Sequence, residues 1–142
     1  MDKKSFYSLC CMLTNLTGIE DVGYHMILSD RLKPIIKSNN GEITEADWIK
    51  HHTDNPVFIA NNPILIELLR TKKKVCIKDN SLSSSVDMDS FTVRSVYMFP
   101  IVIDNEVIGV IPIVSIGVVT SLKDEIILKC ELAIEQHKYI FE

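Results

Sequence analysis

The chain has 142 residues, 46% of them hydrophobic and 24% charged, with a mean hydropathy of +0.16. That balance suits one soluble globular domain, able to bury roughly 70% of its unfolded surface, and excludes an extensively disordered protein. A net charge of −4 and a pI near 5.5 speak against a general nucleic-acid surface, and no run reaches the ~20 apolar residues that span a bilayer.

At the N-terminus, Met1-Asp2-Lys3-Lys4 and the run from Phe6 to Leu13 imitate a signal peptide. Ser8 interrupts the run, however, and no small-x-small cleavage site follows. Phe6, Leu9, Leu13 and Leu16 instead form one stripe of a helix over 2–16, bordered by Cys10, flanked by Tyr7, Cys11 and Met12, and stopped by Gly18. The other cysteines, Cys76 and Cys130, form no C-x-x-C with these. A zinc knuckle or redox pair is therefore not indicated, and free reduced thiols in a cytoplasmic protein are expected.

Residues 22–37 read as two strands turning near Ser29-Asp30, with Pro34 assigning the second strand to a sheet edge. Ser38-Asn39-Asn40-Gly41 is a loop. Thr44-Glu45-Ala46-Asp47 is a capping pattern for a short helix through Trp48 to His52. His51-His52 lacks a third ligand in register, so the pair reads as exposed helix-end residues and no metal is expected. Asn62 and Pro63 open a further helix, whose buried side is Ile64, Leu65, Leu68 and Leu69. Lys72-Lys73-Lys74 at its end complements the helix dipole. Val75-Cys76-Ile77 is a short strand, and 79–93 is a long polar loop with a possible helical turn over 87–91.

Residues 94–115 then form a β-hairpin around Asp104-Asn105-Glu106. Both faces are apolar: Tyr97, Phe99, Ile101 and Ile103 point one way, Val96, Met98, Pro100 and Val102 the other. A strand pair of this kind is covered on both sides. Ser121-Leu122-Lys123-Asp124 looks like a cap for the last helix. Its main stripe is Leu122, Ile126, Ile127, Cys130, Ala133, Ile134, Ile140 and Phe141. A second stripe, Leu128, Leu132 and Tyr139, exceeds what one domain needs and predicts a partner helix.

Ser95-x-Tyr97-x-Phe99-Pro100-Ile101 followed by Glu106-Val107-Ile108-Gly109-Val110-Ile111 resembles the S-x-L-x-V-P-L…x-V-I-G-V-L signature of GAF domains. Asn62 to Asp79 is similar to that family's helix, T-G-K-P-V, strand and Asp, with Lys73-Lys74 replacing the usual Gly or Pro. The resemblance covers nearly all of a single domain, 1–142. It implies an α+β fold: a central antiparallel sheet of five or six strands with the terminal helices on one face and a lid on the other. On that plan Tyr97, Phe99 and Ile101 face the helices. The lid, with Leu82, Val86, Met88 and Phe91 beneath it, covers a pocket for an unknown small molecule.

The ligand-binding candidates are Cys76, Asp79, Phe91, Arg94, Val96, Met98, Val110 and Val114. Asp79 and Arg94 bracket the lid, either pinning it by pairing or leaving Arg94 to grip a ligand carboxylate or phosphate. Residues 80–93 contain no cysteine, unlike the lids of related sulfoxide reductases and bilin photosensors. The N-K-x-F-D-E pattern associated with cyclic nucleotides is also missing, as are phosphate-binding glycine loops. With no catalytic constellation and no cofactor indicated, the expectation is a non-catalytic sensor domain. It is expected to regulate a partner, an output protein, or to act as a homodimer through its terminal helices. The alternatives are a dimerisation or protein-interaction module with a filled, vestigial pocket and, more remotely, a methionine sulfoxide reductase-like enzyme.

Overall fold

The computed structural model describes residues 1–80 and 92–142. In chain order these form α1 (Lys3–Thr17), β1 (Asp21–Leu28), β2 (Arg31–Lys37), α2 (Glu45–Asp54), β3 (Val57–Phe58), α3 (Pro63–Thr71), β4 (Val75–Ile77), β5 (Val93–Ile103), β6 (Glu106–Ile116) and α4 (Asp124–Gln136). All six strands join one sheet in the order β3-β2-β1-β6-β5-β4, and every neighbouring pair is antiparallel.

The β5–β6 hairpin is the spine. Asp104 and Asn105 adopt φ of 51° and 63°, the backbone required by a two-residue turn that matches strand twist; Asp and Asn tolerate it best after glycine. The two apolar faces divide by strand parity as the alternation predicts. Tyr97, Phe99, Ile101, Ile111 and Ile113 join Phe6, Leu9 and Leu13 of α1 and Ile127, Cys130, Ala133 and Ile134 of α4 in one buried cluster. Val96, Met98 and Val110 turn to the opposite face, where Leu65 and Leu68 of α3 cover them. Gly109 is required here by close approach, because a Cβ would stand 2.5 Å from the Tyr24 ring and 2.7 Å from the His25 carbonyl.

Two helix starts follow their sequence signals. Thr44 accepts from Asp47 N at 3.1 Å, and Asn62 accepts from Leu65 N at 3.1 Å. The third does not. Lys123, not Ser121, precedes α4 and gives no side-chain cap. Donors just upstream are taken by the sheet instead: Leu122 N donates to Tyr97 Oη at 2.9 Å and Thr120 N to Ser95 Oγ at 2.8 Å. The last helix also ends earlier than its apolar stripe. It stops at Gln136, and a 3-10 turn over Lys138–Phe141 carries Ile140 back to the core.

Two further expectations change. β2 is an edge strand only in part, because β3 pairs with Arg31 and Leu32 and leaves the Pro34 segment beyond its reach. The lysines after α3 do more than complement a dipole. Lys72 takes the left-handed C-cap position (φ 57°) and donates from Nζ to Asn105 O at 2.7 Å, while Lys74 pairs with Glu131 of α4 at 2.8 Å. Together they fasten α3 to the hairpin turn and to α4.

Candidate functional site

The face of the sheet opposite α1 and α4 is the candidate site, and strand register determines which predicted residues meet there. Val96 stands directly across from Val114, and Met98 pairs with Pro112 on one side and Val75 on the other. Val96, Val114, Met98 and Val75 share one apolar cluster with Val110. Val110, however, lies four residues along β6 from Val114, about 13 Å of strand. The face is therefore an elongated floor, with Val96, Met98 and Val114 toward one end and Val110 near the other.

Arg94 lies at the first end, where the register slips between Val93 and Ser95. An extra residue at such a bulge is freed from the regular alternation. Val93 takes the place on the apolar face, and Arg94 is left half-buried. Its guanidinium makes no ion pair or hydrogen bond with a described residue, so the pairing with Asp79 weighed as a structural pin does not form. Asp79 is exposed, just past β4. Phe91, with Leu82, Val86, Met88 and the helical turn over 87–91, lies outside the described residues.

Cys76 belongs to the other face, which corrects its assignment to the ligand floor. It pairs with Tyr97 across β4–β5 and packs against the α1–α4 cluster. Burial raises its thiol pKa, as it raises those of Cys130 (to about 11) and Cys10 (to about 12). Such thiols stay protonated at neutral pH and are poor nucleophiles.

A polar network joins β5 and β6 to the segment that precedes α4. Ser95 Oγ donates to Lys78 O at 2.7 Å and accepts from Thr120 N. Tyr97 Oη donates to Thr120 O at 2.6 Å, and Ser115 Oγ shares a 2.8 Å bond with Thr120 Oγ1. The chain on either side of Arg94 is thus tied both to the base of the lid segment and to the start of the last helix.

At the far end of the floor lies an arrangement the sequence did not announce. His25 of β1 is 4% exposed and pairs across the sheet with Val110. Its ring stands 4.7 Å from Trp48 and 4.8 Å from His52, both on α2. Trp48 lies on Gly23, where an added Cβ would meet the indole at 2.6 Å. His52 is therefore not an exposed helix-end residue. Burial lowers the pKa of His25 to about 3 and that of His52 to about 4, with each shift deepened by a neighbouring histidine, so both rings are neutral. Only one signal was available in the sequence, the Trp48-x-x-x-His52 spacing that aligns both rings on one helical face.

An ion pair lies toward the other end of β1, where Asp21 pairs with Val114. Lys37 Nζ lies 2.8 Å from Asp21 Oδ1, and both side chains are under 5% exposed. Asp21 also accepts from Glu42 N (3.0 Å) and Ile43 N (3.2 Å), while Lys37 N donates to Glu45 at 3.0 Å. The loop entering α2 is thereby pinned, and with it the position of Trp48. No group of three or more metal-ligating side chains occurs among the described residues, nor any helix long and apolar enough to cross a membrane.

No protein-family model matches the sequence, and no curated protein matches it. Solved structures match its shape. A GAF/HD domain protein from Geobacter sulfurreducens superposes with a TM-score of 0.78 at 13% identity, over 96% of this chain and 89% of that one. The GAF-B domain of DevS from Mycobacterium smegmatis gives 0.70 at 12%, over 96% and 90%. A type II free methionine-R-sulfoxide reductase from Thermoplasma acidophilum gives 0.72 at 14%, over 96% and 89%. The chain has the GAF-domain fold.

Proposed function

We propose that this protein is a non-catalytic sensor domain that binds a small anionic molecule between the sheet and the segment after β4. The carrying observation is Arg94: a half-buried cation at a β-bulge, without a described partner, at the end of an apolar floor. A guanidinium so placed suits a carboxylate or phosphate, while Val96, Met98 and Val114 hold the apolar part of the ligand. The raised thiol pKa values favour a binding role over the cysteine chemistry of a reductase. The ligand is to be sought by mass spectrometry of small molecules that co-purify with the protein. Arg94→Ala should remove an anionic ligand and leave the melting temperature of the ligand-free protein within about 2 °C, since no ion pair or hydrogen bond with a described residue is lost. Normal binding by a strongly destabilised variant would make Arg94 a structural residue only.

The signalling form on this reading is a homodimer through α4. Leu128, Leu132 and Tyr139 are 54%, 53% and 60% exposed, and the i, i+4 spacing of the two leucines makes a stripe suited to a second copy of the helix. Leu132→Glu should convert the protein to monomer in sedimentation with its circular dichroism unchanged. A wild-type protein that sediments as monomer at high concentration would end the dimer reading, and a filled pocket would then favour a plain interaction module.

A further inference from the structure

We propose that Asn40 is a self-modification site: its side-chain amide is lost to the neighbouring Gly41 nitrogen and water, and the isoaspartate that results loosens α2 from the sheet. Asn40-Gly41 is the one Asn-Gly step in the chain. Glycine matters here because, with no Cβ, it leaves its own nitrogen open to the preceding side chain. The step lies in the loop between β2 and α2, where Asn39 and Asn40 are exposed. Neither the Asn40 side chain nor Gly41 N makes a hydrogen bond with a described residue. The ends of the loop, in contrast, are fixed. Ser38 Oγ donates to Glu20 O at 2.6 Å and accepts from Val22 N at 3.1 Å, while Asp21 holds Glu42 N and Ile43 N. Only Asn39, Asn40 and Gly41 are left to move, and unbonded chain of this kind opens at little cost.

The chemistry needs nothing but water. Gly41 N gives up its proton and attacks Asn40 Cγ, forming a cyclic succinimide, and the side-chain nitrogen leaves as ammonia. Water then adds to either ring carbonyl. Opening at Cγ gives aspartate, with the peptide bond where it was. Opening at the main-chain carbonyl gives isoaspartate, the main product, in which the chain runs through Cβ and Cγ and the α-carboxylate becomes the branch. By either route an amide and a water become a carboxylate and an ammonium ion, and nothing is oxidised or reduced. The Asp21 carboxylate lies against Gly41, but Lys37 neutralises it at 2.8 Å. It therefore does not oppose the negative charge that gathers on the attacking nitrogen.

The two products differ in what they do to the fold. A Cβ on Gly41 would stand 2.6 Å from Asp21 Cγ and 2.7 Å from Lys37 Nζ, so Gly41 has no room to shift toward the pair. Isoaspartate lengthens the main chain by one atom immediately before it, and the displacement carries Glu42 N and Ile43 N off the Asp21 oxygens. Those amides position the loop entering α2, whose Trp48 lies on Gly23 and His25. Aspartate keeps the backbone and adds only a negative charge at an exposed position, where solvent and salt screen it.

Prolonged warm incubation of the unaltered protein in mildly alkaline buffer, followed by peptide mass mapping, tests the proposal. Asn40 should lose its amide before every other asparagine, and more slowly at lower pH, because the attacking nitrogen must shed its proton. A protease that cleaves before aspartate but not before isoaspartate tells the two products apart. The isoaspartate form, separated by ion exchange, should melt at least about 4 °C below the unreacted protein. It should also show altered fluorescence of Trp48, the single tryptophan. Asn40→Asp, which supplies the charge without the longer chain, should match the unreacted protein in both. An intact Asn40, another asparagine reacting first, or an isoaspartate form with unchanged melting temperature would each overturn the proposal. So would an Asn40→Asp variant that reproduces the whole loss, since charge alone would then be acting. The measurements on the unaltered protein hold even if that variant does not fold.

Discussion

Acidification from pH 6.5 to 4.5 should destabilise this protein steeply, well before its exposed carboxylates titrate. In the native state His25 and His52 resist protonation, with pKa values lowered to about 3 and about 4, chiefly by burial. In the unfolded chain both return to about 6.5. Between those limits the unfolded state binds more protons than the native one, so stability is fully present above pH 6.5 and is lost as the pH falls toward 4. Each histidine contributes a slope of up to about 1.4 kcal/mol per pH unit. Two histidines over two units are comparable with a typical domain stability of about 5–15 kcal/mol. The urea midpoint measured across this range should fall continuously, and His25→Phe should remove about half of the slope. A flat midpoint between pH 6.5 and 4.5 would mean that the rings are hydrated and titrate normally.

The second large effect concerns Asp21 and Lys37, whose charges lie 2.8 Å apart with almost no access to water. Removing one partner of a buried pair strands the other, at a cost of about 3–5 kcal/mol. Lys37→Met should therefore lower the stability in chemical denaturation by that amount, leaving the Asp21 carboxylate with only the Glu42 and Ile43 amides. Asp21→Asn in the Lys37→Met background should recover part of the loss: no buried charge remains, but the amide offers one acceptor oxygen where the carboxylate meets Glu42 N with Oδ2 and Ile43 N with Oδ1. Gly41→Ala should be costly for a different reason: its Cβ would collide with Asp21 Oδ1, with a second contact at 2.7 Å from Lys37 Nζ. A loss below about 1 kcal/mol for Lys37→Met would show the pair to be far better hydrated than its burial indicates. Because the pair fixes the loop entering α2, its removal should also alter the fluorescence of Trp48.

These two sites were the least legible parts of the sequence. Asp21 is distant in the chain from Glu42 and Ile43, and His25 from Trp48 and His52; the docking of α2, not any local pattern, joins them. The hairpin lay at the other extreme. Alternation over eleven residues in each of β5 and β6 separated Tyr97, Phe99 and Ile101 from Val96 and Met98, since strand parity leaves only two choices. Cys76 was misassigned because β4 has three residues, all half-buried, too few to establish parity. The Ser121 cap failed for a physical reason: the hydroxyls of Ser95 and Tyr97 hold Thr120 N and Leu122 N on the sheet, and the chain stays extended as far as Lys123 before α4 begins. Arg94 was recognised as a candidate, but the bulge that sets its orientation leaves no mark in composition.

The seam between β1 and β6 governs how the molecule must assemble. β1–β2 and β5–β6 are each closed by two-residue turns, Ser29-Asp30 and Asp104-Asn105, so both hairpins form from contacts close in the chain and lose little loop entropy. The seam instead pairs Val22 with Ile113 and Met26 with Gly109, which brings together distant parts of the polypeptide and is intrinsically slow. During synthesis β1 therefore leaves the ribosome long before its partner strand, with one edge unpaired and Val22 and Tyr24 bare of their core. Until residue 116 has emerged, the first hairpin and α1 are a sticky fragment. Translation speed and chaperone access over this interval should influence yield more than they would for a domain whose sheet grows strand by strand.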